Sequence, residues 1–271
     1  MKSTVLIEVN QLCNLRCEYC FYNDYGRKKS YITVDMVARV LKSETKKVYL
    51  TGGEPFINPD IFKIIKHLKS RQINTTVFSN GVILSNLDKL EFQNILNDLD
   101  KLIITFDDFR ESYLLRSINA NNILNGIKKV LSYKRDILEV KIGVNQYNVD
   151  LFRDTVKRLI EIGVKKLSIN LIHNISNSKK EFEVIDREQL MKIFNVINEF
   201  NIYFDNSYIN NLRKFLDGNI NELVKTCKAG EGFCFINCDG NMYICPSNLE
   251  NLCIDKKQCI SKECINLWEM Y

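Results

Sequence analysis

The chain has 271 residues, 45% hydrophobic and 26% charged, with 38 Lys and Arg against 33 Asp and Glu for a formal net charge of +5. That is the balance of an ordinary soluble globular protein, long enough for one large domain with a small appendage. No run of about 18 apolar residues exists to cross a membrane, the start MKSTVLIEVNQL turns polar too early for a signal peptide, and no dense basic block marks a nucleic-acid surface. A cytoplasmic chain is expected, with no membrane and no nucleic acid among its partners.

In chain order, short β-rich runs alternate with amphipathic stretches. Thr4–Val9 reads as a strand, and Thr33–Lys42 as a helix with Thr33 as N-cap and Asp35 in its first turn. Lys47–Thr51 (strand), Pro59–Ser70 (helix), Asn74–Ser79 (strand) and Ser85–Asn97 (helix) follow. Lys101–Phe106 and Ile118–Tyr133, Leu138–Asn145 and Asp150–Ile162, and Lys166–Ile172 and Asp186–Phe200 are three more strand–helix pairs. Strict alternation predicts a parallel sheet with right-handed crossovers. The expected fold class is α/β, a partial (β/α)6 TIM-type barrel over residues 1–207, because six units are too few to close an eight-stranded ring.

From residue 208 the pattern changes. Asn210–Val224 reads as a bridging helix, and a short cysteine-bearing module runs to residue 271. Within it, Phe235–Asn237 and Met242–Ile244 flank Asp239-Gly240-Asn241, a hairpin turn signal.

The chain carries ten cysteines and two histidines. Cys13, Cys17 and Cys20 stand at the start; Cys227, Cys234, Cys238, Cys245, Cys253, Cys259 and Cys264 stand near the end, with none between. Without a secretory signal, such clusters point to metal rather than disulfides. With His67 and His173 outside them, any site is nearly all sulfur, which favours zinc or iron–sulfur. Cys13-x3-Cys17-x2-Cys20 follows the first strand, where loops of a parallel barrel form the active face. Three thiolates can hold three irons of a [4Fe–4S] cube and leave the fourth open; a structural zinc knuckle is the alternative.

The motif C-x3-C-x-aromatic-C, with Tyr19 at the aromatic position, resembles the cluster motif of the radical S-adenosylmethionine (SAM) superfamily. Thr51-Gly52-Gly53-Glu54-Pro55 after the second strand is similar to that family's GGE motif, and Ser79-Asn80-Gly81 and Thr105-Phe106-Asp107 to further elements of its SAM pocket. The resemblance runs from about Val5 to Ile172. It implies that the methionine amine and carboxylate of SAM chelate the open iron. Gly52 and Gly53 would admit the methionine backbone closely, Glu54 would stabilise its ammonium, and Tyr19 would pack near the adenine. Asn80, Thr105 and Asp107 would contact ribose or carboxylate, with Arg116 pairing the carboxylate; for Asp107 and Arg116 the plainer alternative is surface or helix-cap charge. An external one-electron donor, a flavodoxin or ferredoxin, is implied.

Cys227-x12-Gly240-x4-Cys245 resembles the opening of the SPASM and twitch extensions, which carry auxiliary [4Fe–4S] clusters. Cys253-x5-Cys259-x4-Cys264 is close to the SPASM tail but departs from it: Glu250 replaces its first cysteine and the last interval is one residue longer. One auxiliary cluster through Cys227, Cys245 and two tail cysteines is expected; a second, open cluster or a small zinc knot is the alternative. Cys234 and Cys238 are left unassigned between these possibilities; the alternatives are that either is a buried small hydrophobe or that one of them is a hydrogen-atom donor in catalysis.

Three functions fit. The first is a peptide-modifying radical SAM enzyme, drawing hydrogen from a ribosomally made precursor peptide in epimerisation, thioether formation or crosslinking. Its leader would be held by the barrel rim, an edge strand or a separate leader-binding protein. The second is a twitch-type dehydrogenase of a sugar or other small molecule. The third is a non-catalytic iron–sulfur or zinc protein. The basic residues Lys63, Lys66, Lys69, Arg71, Lys128, Lys129, Lys134 and Arg135 read as solvated helix faces; the alternative is that they help attract an acidic leader.

Overall fold

The computed structural model describes residues 3–25, 27–110, 115–172, 181–182, 187–205, 210–211, 213–214, 217–219, 221–222 and 227–246. The elements run β1 (Thr4–Glu8), α1 (Tyr22–Tyr25), α2 (Val34–Val40), β2 (Lys47–Thr51), α3 (Ile61–Ser70), β3 (Asn74–Ser79), α4 (Val82–Asn86), α5 (Lys89–Asp98), β4 (Lys101–Phe106) and α6 (Ala120–Lys134). They continue β5 (Leu138–Val144), α7 (Phe152–Glu161), β6 (Leu167–Leu171), α8 (Arg187–Glu199), β7 (Phe233–Ile236) and β8 (Met242–Tyr243). The six expected strand–helix units are all present. Over 210–224, where one helix is predicted, residues 210–211, 213–214 and 221–222 are helical with a turn at Asp217–Gly218 between them (Gly218 φ +72°), and residues 212, 215–216, 220 and 223–224 lie outside the described residues, as do His173, Glu250, Cys253, Cys259 and Cys264.

The eight strands form one sheet in the order β6-β5-β4-β3-β2-β1-β7-β8. All neighbours are parallel except β7 and β8. The sheet is open, as six units require. The appendage was expected as a separate module, yet β7 pairs with β1 at Val5↔Cys234 and Ile7↔Ile236. The C-terminal hairpin therefore extends the barrel sheet itself. Its turn forms as predicted: Asn237 Oδ1 accepts the Asp239 and Asn241 N–H groups, and Gly240 takes φ +84°.

Alternation along the strands separates two faces. Val5, Ile7, Val48, Leu50, Val77, Leu102, Ile104, Val140 and Ile142 pack with the helices in the main core. On the other, inner face Leu6, Tyr49, Phe233 and Phe235 cluster with Phe78 and Tyr243. On β4 to β6 the inner face turns polar. Lys101 Nζ lies 2.5 Å from Glu139, whose Oε1 accepts the Ser168 hydroxyl at 2.6 Å, and the Lys141 ammonium stands 5.3 Å from the Phe78 ring centre.

Two helical expectations change. The single helix predicted over Ser85–Asn97 is two, because Leu87 is extended and the Asp88 side chain caps a new helix at the Glu91 N–H. The basic residues are not all solvated. Lys129 Nζ donates to the carbonyls of Leu84, Ser85 and Leu87, and Lys134 Nζ to those of Leu96, Asn97 and Leu99, so each serves the end of a neighbouring helix. Arg71 bonds the Lys42 carbonyl, and His67 is half-buried. No helix among the described residues is long and apolar enough to cross a membrane.

Lys129→Met keeps the apolar stem but leaves three carbonyls short of a donor. It is expected to lower the unfolding free energy by about 1–2 kcal/mol, whereas Lys128→Met, on the exposed face, stays within about 0.5 kcal/mol of the parent; urea unfolding of both measures the difference.

Candidate active site

The site lies at the C-terminal ends of β1 to β5, where three loops interlock. After β1 the chain passes through Asn10–Leu12 into the cysteine loop. The loop after β2 lies directly on it: Gly53 N–H donates to Asn10 O at 2.9 Å and Glu54 N–H to Leu12 O at 2.8 Å. A Cβ at Gly52 would stand 2.2 Å from Asn10 O, and one at Gly53 2.1 Å from Leu12 O. The two glycines thus serve backbone-to-backbone contact between the two motifs, a role the sequence did not reveal.

Glu54 joins this assembly to β3. Its side chain is fully buried and accepts the Phe56 N–H at 3.2 Å, the Ser79 hydroxyl at 3.0 Å and the Asn80 N–H at 2.8 Å. Burial still pushes its carboxyl up to about 7, so three donors do not offset the loss of water. Asn80 in turn reaches the cysteine loop, donating from Nδ2 to Asn14 Oδ1 at 2.8 Å and lying 3.7 Å from Cys13 Sγ.

The other side of the loop is held by the stretch after β4. Glu18 N–H donates to Leu115 O at 2.8 Å and Arg16 N–H to Ser117 Oγ at 2.7 Å, while Cys17 Sγ lies 4.0 Å from Arg116 O. Ser117 adopts φ +57°, a left-handed conformation uncommon outside glycine. Arg116 is no surface charge. Its guanidinium is 11% exposed, donates to Thr105 O at 2.6 Å and lies 3.4 Å from Asp107 Oδ1. Asp107 also accepts the Tyr19 hydroxyl at 2.5 Å. Burial pushes the carboxyl of Asp107 and the phenol of Tyr19 upward; for Arg116 burial opposes the charge, but Tyr19, Asp107 and Cys17 outweigh it and raise its pKa. Arg116 Nε is buried with no hydrogen-bond partner. Tyr19 meets Phe182 edge-on, with ring centres 6.0 Å apart.

Cys13, Cys17 and Cys20 are free thiols, half-buried in one loop. Burial pushes Cys17 up to about 11 and raises Cys20, with Cys20 coupled by charge to Cys17 and Cys13 to Cys20. Cys20 Sγ lies 3.6 Å from Arg27 Nη2. Among the described residues no three His, Cys, Asp or Glu side chains stand close enough to share one metal ion. Three thiols on one loop, an unmatched Arg116 Nε beside them and a buried acceptor in Glu54 suit an iron–sulfur cluster together with a ligand bearing both a carboxylate and an ammonium.

The late cysteines divide. Gly230 packs against Ile244, which brings the segment after Cys227 to the segment before Cys245. Cys234 lies on the helix-covered face of β7 in the main core, opposite in phase to Phe235, so strand alternation removes it from the active face and it serves as a small apolar residue. Cys238, past the end of β7, lies against Ser30 and Glu8. Glu8, Tyr22, Arg27 and Asn14 were not foreseen, since nothing in their local spacing marks them.

Gly53→Ala is expected to cost roughly 2–3 kcal/mol in urea unfolding, because the obstructing atom is backbone and cannot step aside. For Glu54 the folded value of about 7 exceeds the ordinary 4.5. The carboxyl stays protonated in the folded chain while it ionises in the unfolded one, so stability falls as pH rises from about 4.5 to about 7, and Glu54→Gln is expected to remove about 3 kcal/mol of that fall in the metal-free chain, measured by unfolding across that range.

Comparison with known proteins places these motifs. The probable GTP 3',8-cyclase of Methanocaldococcus jannaschii is 25% identical over 163 residues, 58% of this chain and 55% of that one, so the chain spans little more than half the length of that relative. Streptococcus suis SuiB bound to precursor peptide SuiA superposes with TM-score 0.70 at 16% identity, over 99% of this chain and 64% of SuiB. Native anSMEcpe with bound AdoMet and Cp18Cys peptide gives TM-score 0.65 at 16% identity, over 97% and 82%. These structural likenesses are of fold. The family described as the radical SAM superfamily matches residues 7–182, spanning the cysteine loop, the Gly52–Glu54 turn and the Asp107–Arg116 pair, and the chain belongs to that superfamily.

Proposed function

We propose that this radical SAM enzyme draws a hydrogen atom from a ribosomally made peptide. Membership of the superfamily implies a [4Fe–4S] cluster and SAM. In this reading Cys13, Cys17 and Cys20 hold the cluster. Arg116, its Nε unmatched and its guanidinium braced by Thr105 and Asp107, takes the SAM carboxylate; Gly52 and Gly53 with the buried Glu54 receive the ammonium. Asn80 and Thr105 line the ribose side, and Tyr19, fixed by Asp107 and Phe182, backs the adenine. When bound, the pair supplies a 5'-deoxyadenosyl radical by one-electron reductive cleavage of the S–C5' bond, and the chain's part is to orient and dry the site.

The observation that carries the peptide reading is the β7–β8 hairpin built onto β1, which sets Cys227 and Cys245 beside the barrel in an architecture matched across nearly the whole chain by two peptide-bound structures. We assign residues 1–207 to the barrel and 208–271 to a bridging helix and SPASM- or twitch-like module, with Cys227, Cys245 and two of Cys253, Cys259 and Cys264 holding an auxiliary cluster. A small-molecule substrate is the second reading, favoured by relatives named as GTP 3',8-cyclases.

With SAM and reductant under anaerobic conditions, Cys13→Ala is expected to abolish 5'-deoxyadenosine formation, while Cys245→Ala keeps part of it and loses product. Equal loss in both variants refutes the division of labour. Mass spectrometry of peptides encoded beside the gene, run against nucleotide and sugar substrates, separates the two readings.

A further inference from the structure

Glu8 closes β1, the strand flanked by β2 on one side and β7 on the other. In phase with Leu6, its side chain belongs to the inner face, and the residue is 6% exposed. Its carboxylate is shared among three parts of the chain. Oε1 accepts the Tyr22 hydroxyl at 2.6 Å; Oε2 accepts Gln11 Nε2 at 3.1 Å and the Cys238 N–H at 3.2 Å. Gln11 leads into Cys13, Tyr22 opens α1 just after Cys20, and Cys238 begins the hairpin turn. One buried carboxylate thus takes bonds from both ends of the cysteine loop and from the C-terminal hairpin.

Two neighbouring contacts span the same joint. Ser30 Oγ and Cys238 Sγ lie 3.1 Å apart, and Lys28 Nζ lies 2.9 Å from Asp239 Oδ2. The exposed Lys28 pair contributes little. The bond from the Cys238 N–H to Glu8 is buried and those from Gln11 and Tyr22 are part-buried, and removing their acceptor leaves three donors short of a partner.

We infer that Glu8 is a positioning residue that locks the cysteine loop and the β7–β8 hairpin together, keeping a fixed distance between the redox groups carried on the two sets of cysteines. The joint is a property of the chain alone; its consequence for turnover rests on the proposed function above. Because electron exchange weakens steeply with separation, slack here lowers product formation while SAM cleavage continues.

Glu8→Ala, Glu8→Gln and Tyr22→Phe in the full chain test this. Hydrogen exchange of metal-free protein reads the joint directly. The Cys238 amide is expected to exchange about tenfold faster in Glu8→Ala, with Glu8→Gln restoring much of the protection through its remaining carbonyl oxygen. Tyr22→Phe should leave the hairpin near the parent and speed exchange over residues 20–25. In the reconstituted enzyme, Glu8→Ala is expected to lower product formed per 5'-deoxyadenosine about tenfold, with partial rescue in Glu8→Gln. Parental exchange at Cys238 in Glu8→Ala overturns the inference, as does Glu8→Gln no better than Glu8→Ala. If Glu8→Ala does not fold, unchanged exchange over 20–25 in Tyr22→Phe overturns it. A parent enzyme that makes no 5'-deoxyadenosine sinks the proposed function and leaves the exchange result to judge the joint.

Discussion

The site depends on a contact between two backbones with no side chain between them. Where the exit of β2 crosses the exit of β1, the carbonyls of Asn10 and Leu12 occupy the space that any Cβ at positions 52 and 53 would need. That contact brings Glu54 under the cysteine loop and, through Asn80, lets β3 grip the same loop from a second direction. The Leu115–Ser117 stretch supplies a third hold. A loop with three thiols and little regular structure of its own is thereby fixed by the ends of three strands.

Much of this architecture was readable because it follows from periodicity. Buried parallel strands and amphipathic helices each leave a local signature, and β2, β3 and β4 begin and end where the pattern places them. The motif residues were readable because glycine, cysteine and glutamate at fixed spacing carry chemistry. What escaped was non-local. Nothing near Phe233 announces that it pairs beside Thr4, and nothing around Arg116 distinguishes a buried partner of Asp107 from a solvated charge. Lys129 and Lys134 looked like surface residues because their acceptors, exposed helix-end carbonyls, belong to other elements. The break between α4 and α5 had a local cause in Asp88 that the apolar periodicity obscured.

The inner face of the sheet has two characters. Toward β1, β2, β7 and β8 it is lined by Leu6, Tyr49, Phe235 and Tyr243; toward β5 and β6 it carries Glu139, Lys141 and Ser168. Phe78 sits at the boundary, stacked near Tyr49 and covered by the Lys141 ammonium. The aromatic wall is completed by the C-terminal strands, so the hairpin shapes the barrel interior as well as carrying cysteines.

The pairing of residues 4–7 with 233–236 also sets the order in which the molecule can be finished. The strand at residues 4–8 keeps one bare edge until residues 233–236 have been made, and an unpaired parallel edge invites the wrong partner. Closing so long a loop is slow. A chain stopped ahead of β7 would therefore leave bare the β1 edge that residues 233–236 cover.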